Sequence, residues 1–299
     1  TGRNRDQWHT MTRSGLSVRL SSHLAEPFCE LNPDDANNLG VTEASLVTVE
    51  SPHGKAILRA LITPRQRRGS VFAPMHWTGV QASQARIDAL VPAVVDPISG
   101  QPASKNCGVS VRLFQAAWHG FAVSANRPDA PAAEYWAMAR ADGGWRIELS
   151  GLQVPDDVDL FACQLFGLAA DAPVIAYHDA TSGQYRCAAF DGDRLVGAFF
   201  LSKGPVAVSR QHVAELLSGS FADMSSRWRV IAGRAGADQP DKGAIICACN
   251  WVGINEIDAA FGQGCVTVDA IGAATRAGTN CGSCRAEIGA ILHGKLPLA

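Results

Sequence analysis

The chain has 299 residues and a formal net charge of −2, which removes any global electrostatic case for a nucleic-acid partner. Its 47% hydrophobic and 18% charged content is that of a globular protein, and its length exceeds one hydrophobic core, so two or three compact units are expected. No apolar run reaches the roughly 18 residues needed to span a bilayer and no secretory signal opens the chain, which makes the cytoplasm the default compartment and excludes a membrane partner. The chain starts at Thr1, without an initiator Met and directly on a motif-like stretch, so it reads as the C-terminal piece of something longer.

Residues 1–115 hold short alternating segments at 45–50, 55–62, 70–73 and 109–113, separated by turn signals such as Pro52-His53-Gly54. Period-two patterning at close spacing predicts strands of a small barrel or sandwich. Asn32 to Gly40 predicts one short helix, with Asn32 as N-cap, Pro33 in the first turn and Gly40 as stop. The opening decapeptide is rich in donors and carries Gly2, which allows close backbone approach. Guanidinium groups match phosphate oxygens, so a phosphate-bearing ligand is one reading and a solvated polar loop the other.

The stretch T-G-R-x-x-x-x-W-H-T, followed by Met11-Thr12-Arg13, resembles the start of the C-terminal cofactor domain of molybdenum bis-guanine-dinucleotide oxidoreductases. Assimilatory and periplasmic nitrate reductases are the nearest match. The resemblance continues through Asn32 to Ala36, Gly69 to Trp77 and Asp96 to Lys105. It implies a double-psi β-barrel over 1–115 whose opening loop wraps a molybdenum bis(molybdopterin guanine dinucleotide) cofactor. Carried over by position, Thr1, Gly2, Arg3, Asn4, Arg5, Asp6, Gln7, Trp8, His9 and Thr10 match the cofactor-binding decapeptide, and Lys105 matches a cofactor-contacting lysine. Asp88 falls where relatives usually have Asn and is carried over as a contact. Met75 aligns with a substrate-side position beside the funnel, with a core role as the alternative.

Residues 116–240 are expected to form a linker and a small α+β domain. Ala125 to Pro131, with two prolines and no apolar period, reads as a linker and marks a boundary. Strands are predicted at 145–149, 174–179, 184–191 and 194–201, the last three as a meander, with a helix at 209–219 capped by Ser209 and stopped by Gly219. The Tyr185 to Leu201 stretch, with D-G-x-x-L-V-G-A at 191–198, resembles the small C-terminal domain of flavin-dependent reductases, where that motif lies in a hairpin, and implies an interface or spacer. Cys163, Cys187, His178 and His212 are isolated and read as packed core residues. Residues 234–243 read as a second linker.

Residues 241–299 hold the strongest chemical signal: Cys247 and Cys249 as C-x-C, then Cys281 and Cys284 as C-x-x-C. Three helices are predicted here, with apolar faces at Ile254, Ile257 and Phe261, at Val268, Ile271 and Ala274, and at Ile288, Ile291 and Leu292. The second pair sits at a helix N-terminus, where free amides and the dipole favour thiolate. Reduced thiols on a metal fit this grouping better than disulfides, and spacing leaves zinc and an iron–sulfur cluster equally open.

The order C-x-C then C-x-x-C, with Thr279-Asn280-Cys281-Gly282-Ser283-Cys284 at the end, resembles the bacterioferritin-associated ferredoxin domain. That family implies a 2Fe-2S cluster on Cys247, Cys249, Cys281 and Cys284, with Cys265 as a small apolar residue. The same domain is appended to many assimilatory nitrate reductases. Together the resemblances imply a multidomain, β-rich α+β protein that relays electrons to a molybdenum cofactor reducing nitrate. Its partners would be the N-terminal remainder of the same enzyme, which holds the molybdenum ligand and a 4Fe-4S cluster, and a donor reductase or ferredoxin. No catalytic residue is assigned within this chain. The alternatives are a formate dehydrogenase of the same superfamily and a non-catalytic iron–sulfur or zinc module.

Overall fold

Alternation of apolar and polar residues produces paired strands here, and the computed structural model describes them for all residues except 3, 5, 6, 8–10, 13, 106, 237–240 and 296–299. Arg3, Arg5, Asp6, Trp8, His9 and Thr10 of the opening loop, and part of the expected second linker, therefore lie outside the described residues. The first helix, α1 (Val18–His23), is capped by the Ser17 hydroxyl, which accepts from the Leu20 amide at 3.5 Å. A four-stranded sheet follows, built from β1 (Phe28–Leu31), β2 (Leu46–Ser51), β3 (Gly54–Ile62) and β4 (Ser110–Leu113) in the order β1-β3-β2-β4. It is mixed, because β1 runs parallel to β3 while β2 runs antiparallel to both of its neighbours. The short helix appears as α2 (Pro33–Asn38), with Asn32 Oδ1 accepting from the Asp34 amide at 2.9 Å and Gly40 at φ +65 beyond its end. The expected strand at 70–73 reduces to a single bridge between Glu30 and Phe72.

The middle of the chain is larger than the expected meander. Strands β5 (Trp118–Ser124), β6 (Tyr135–Ala141), β7 (Gly144–Gly151), β8 (Ile175–Asp179), β9 (Gln184–Asp191) and β10 (Arg194–Ser202) form one sheet in the order β6-β7-β5-β10-β9-β8. The proline-bearing segment 125–131 joins β5 to β6 inside that sheet, so it is not a boundary between units. One face packs under α3 (Val158–Phe166), with Phe161, Leu165 and Phe166 against Trp118, Ile147 and Phe199. The other face packs partly under α4 (Arg210–Glu215) and α5 (Met224–Ala232). Gly197 is required on β10, because a Cβ there would stand 2.1 Å from Phe166 Cδ1. Strand β6 serves two cores at once: Tyr135 and Ala137 pack with the first sheet, whereas Trp136 and Met138 pack with the second. Cys163 and Cys187 are buried as expected, but His178 is exposed and His212 only half-buried, so neither histidine is a core residue.

The last unit holds a hairpin, β11 (Ile245–Cys247) and β12 (Val252–Gly253), then α6 (Ile254–Gly262), α7 (Val268–Thr275) and α8 (Arg285–Lys295). Ile257, Ile271, Ile288 and Leu292 form its core. The expected face of α7 shifts, since Ala274 is exposed and Gly272 is buried beside Ile271. Helix α1 docks this unit: Arg19 Nη1 donates to the Cys249 carbonyl at 3.4 Å, and His23 Nε2 lies 3.1 Å from Glu287 Oε2. Among the described residues no helix is long and apolar enough to cross a membrane.

Candidate functional site

The hairpin brings the four cysteines together. Cys247 ends β11, Cys249 follows in the turn to β12, and the loop after α7 returns Cys281 and Cys284 immediately before α8. The sulfurs stand as two pairs, each taking one residue from each motif. Cys249 Sγ lies 3.3 Å from Cys281 Sγ, and Cys247 faces Cys284. Burial would push the Cys247 thiol up, but amides of Gly278, Asn250 and Cys249, with the Cys284 side chain, bring it below its ordinary value. The Cys281 thiol is lowered to about 7 by the hydroxyl and amide of Ser283 and by Cys249. Cys249, whose proton bonds to the Cys281 sulfur, is raised instead.

The loop can turn amides toward sulfur because Gly278 and Gly282 adopt φ of +74 and +73, where a side chain would be strained. Among the described residues no three His, Cys, Asp or Glu side chains converge on a single ion. Four thiols gathered as two pairs are a donor set that fits a 2Fe-2S cluster, which Cys247, Cys249, Cys281 and Cys284 would hold. Cys265 packs half-buried against this core between α6 and α7, apart from the pairs.

A second site lies on the first sheet, as a cavity of about 720 Å³ with Thr1, Ser104 and Lys105 in its wall. Thr1 Oγ1 donates to the Ser104 carbonyl at 3.0 Å, which joins the start of the chain to the segment carrying Lys105. Gly2 pairs with Pro74, and its carbonyl accepts from the Met75 amide at 2.9 Å, so half-buried Met75 lies beside the opening loop. Of the other described loop residues, Gln7 turns inward, its amide donating to Asn4 Oδ1 at 2.7 Å and its side chain to the Leu24 carbonyl at 2.6 Å. Asp88 is exposed, and its 3₁₀ turn contributes Ile87 and Leu90 to the wall rather than the carboxylate. Gly69, Ser70 and Ser104, which fall in two of the stretches that carry the resemblance, also line the cavity. The Lys105 ammonium and the Thr1 hydroxyl in this wall are polar groups of the kind that meet a phosphate-bearing ligand.

Residues 1–108 match the Molydopterin dinucleotide binding domain, and residues 245–293 match the BFD-like [2Fe-2S] binding domain. The chain therefore carries a molybdopterin dinucleotide-binding domain near its start and a 2Fe-2S-binding domain near its end. Along its whole length it is similar to a nitrate reductase of Klebsiella oxytoca, at 34% identity over 300 residues that cover 100% of this chain and 34% of the relative. It is also similar to the assimilatory nitrate reductase catalytic subunit of Bacillus subtilis, at 29% identity over 111 residues, 37% of this chain and 15% of that one. The alpha subunit of a formate dehydrogenase of Methanocaldococcus jannaschii is 33% identical over 111 residues, 37% of this chain and 16% of that subunit. The chain thus spans 34% of the length of the Klebsiella relative, and less of the other two.

Proposed function

We propose that this chain is the C-terminal part of an assimilatory nitrate reductase catalytic subunit, acting in the cytoplasm on nitrate. The observation that carries this reading is the 34% identity to the Klebsiella nitrate reductase over 100% of the chain, which takes in both cofactor-binding domains and the sheet between them. Residues 1–115 would form a double-psi β-barrel over one side of the molybdenum cofactor, with Thr1 to Thr10 and Lys105 holding the dinucleotide and Met75 toward substrate. Residues 116–240 would act as a spacer, and residues 241–299 would take in electrons. The molybdenum ligand and a 4Fe-4S cluster would belong to the remainder of the parent enzyme.

Cys247, Cys249, Cys281 and Cys284 would hold the irons. When bound, the cluster supplies single-electron transfer, whereas nitrate takes two electrons and two protons to give nitrite and water. Amides of Gly278, Asn250 and Cys249 hold negative charge on the Cys247 sulfur. Burial of Cys247 and Cys284 keeps water from one pair, and exposed Cys281 turns the other toward a donor reductase or ferredoxin.

Assay of the intact parent enzyme with nitrate and with formate tests this reading. Nitrate turnover is expected; turnover of formate alone would favour the dehydrogenase reading that the 33% identical archaeal subunit supports. Metal and sulfide analysis of the chain provides a second check, since zinc without iron would remove the relay.

A further inference from the structure

The two residues after Cys249 hold different neighbours. Asn250 Nδ2 donates to the Arg276 carbonyl at 2.6 Å, which ties the hairpin of β11 and β12 to the loop that carries Cys281 and Cys284. Trp251 instead reaches out of the cysteine unit. It shares the wall of a space of about 20 Å³, room for roughly one water, with Val18 of α1, Asp142 in the turn from β6 to β7, and Gln211 and Glu215 of α4. Gln211 Nε2 donates to Glu215 Oε1 at 2.8 Å, so the α4 side of this seat is itself fixed.

Trp251 is half-buried and sits at φ +55, a left-handed conformation in which a bulky side chain is an outlier. Such a residue persists only where its surroundings over-determine it, and glycine would occupy the same turn without strain. The backbone is secured by the segment before the hairpin: Lys242 Nζ donates to the Trp251 carbonyl at 2.9 Å, and the Asn255 amide donates to the Lys242 carbonyl at 3.1 Å. The indole is secured by the seat. Two further contacts join the cysteine unit to α1, Arg19 Nη1 with the Cys249 carbonyl at 3.4 Å and His23 with Glu287. The first is long and exposed and the second is partly solvated, so burial of the indole outweighs both.

We propose that Trp251 is a positioning residue for the cluster: its indole seats the ligand-bearing hairpin on α1 and the middle sheet, so that the cysteine unit moves with them as one body. Any shift of the hairpin is felt at the ligands, because Trp251 stands two positions after Cys249. An electron donor then meets thiolates of fixed place and orientation, with Cys281 on the exposed side. The middle sheet, which lies between the two matched domains, acquires a task beyond spacing, since its β6–β7 turn and the α4 packed on it form most of the seat. The inference rests on cluster binding by residues 245–293 and not on nitrate as the substrate.

The test is NMR relaxation of backbone amides in the full chain carrying its cluster, comparing the tumbling of α6 and α7 with that of β5 to β10, with iron and sulfide content measured alongside. The wild type is expected to tumble as one body. Trp251→Ala, which keeps the strained backbone and loses the indole, should let α6 and α7 tumble faster at unchanged iron content, and Trp251→Phe, which keeps an aromatic ring for the seat, should restore single-body tumbling. Trp251→Gly should also release α6 and α7, yet its cysteine unit should resist unfolding better than that of the alanine variant by about tenfold in the equilibrium constant, because glycine relieves the left-handed turn. Independent tumbling in the wild type, or single-body tumbling in Trp251→Ala, overturns the proposal. If the hairpin variants lose iron, Val18→Asp, which alters the seat and leaves the hairpin intact, decides: single-body tumbling there overturns it as well.

Discussion

His23 on α1 meets Glu287 on α8 across 264 positions of chain, with Nε2 3.1 Å from one carboxylate oxygen and 3.3 Å from the other. Through this contact the helix that follows the opening loop also holds the helix that follows the cysteines. Glu287→Gln should loosen the docking at a cost of about 0.5–1 kcal/mol, because the carboxylate is partly solvated. Faster hydrogen exchange in α1 and α8 with an unchanged cluster spectrum is the expected result. Unchanged exchange in both helices would mean that the contact carries no docking energy.

Replacing any one of Cys247, Cys249, Cys281 or Cys284 by Ser should cost the cluster its iron and its visible absorption. Cys265→Ser should retain both, since that thiol packs against the core apart from the two pairs. Iron and sulfide analysis separates the outcomes. Loss of iron from the Cys265 variant would contradict this ligand set.

Gly197→Ala should destabilise the middle sheet by roughly 1–3 kcal/mol, the usual range for forcing extra volume into a packed core. The added methyl would collide with the Phe166 ring, 2.1 Å from Cδ1, and neither β10 nor α3 has space to retreat. Urea unfolding followed by tryptophan fluorescence gives the magnitude. A Phe166→Leu partner substitution should recover part of the loss.

Acid should weaken the seam around Glu148 in two stages. His119 is held below its ordinary value of about 6.5, so the unfolded chain binds more protons than the folded one just beneath that pH, and stability falls as pH drops through this window. Burial would raise Glu148, but Arg210, followed by Arg59 and Arg146, keeps its carboxyl below the ordinary value of about 4.3, and the stability it contributes is lost on further acidification. Each proton contributes a slope of at most about 1.4 kcal/mol per pH unit. In His119→Gln the slope between pH 7 and 5 should flatten while the step below pH 5 persists, as measured by urea midpoints.

Local signals in the sequence were legible where one residue settles a local geometry. Asn32 caps α2, Ser209 caps α4, and Gly40 lies at φ +65. The strands that the sequence does not show, β1, β5, β6, β11 and β12, are buried over most of their length, so their sequences show no period of two. Helices α1, α3 and α5 have caps at Ser17, Asp157 and Asp223, but at 6 to 9 residues each is too short to show a clear helical period in the sequence. Around the first cavity the resemblance pointed to Thr1 and Lys105, which do meet in one wall, and to Asp88, whose carboxylate does not line it.

Four cysteines in two spaced pairs are a property of the sequence, and they point to thiolate-held metal before the fold is known. Their cross-pairing, Cys249 with Cys281 and Cys247 with Cys284, depends on a hairpin and a glycine loop that meet only in three dimensions. Strand β7 makes the same point about charge. Arg146, Glu148 and Ser150 alternate as a solvent-facing edge would, and only the closure of α4 and the first sheet over them turns that edge into a buried set of charges. Alternation is read from neighbours in the chain, whereas burial is decided by whatever surface arrives from elsewhere in the fold.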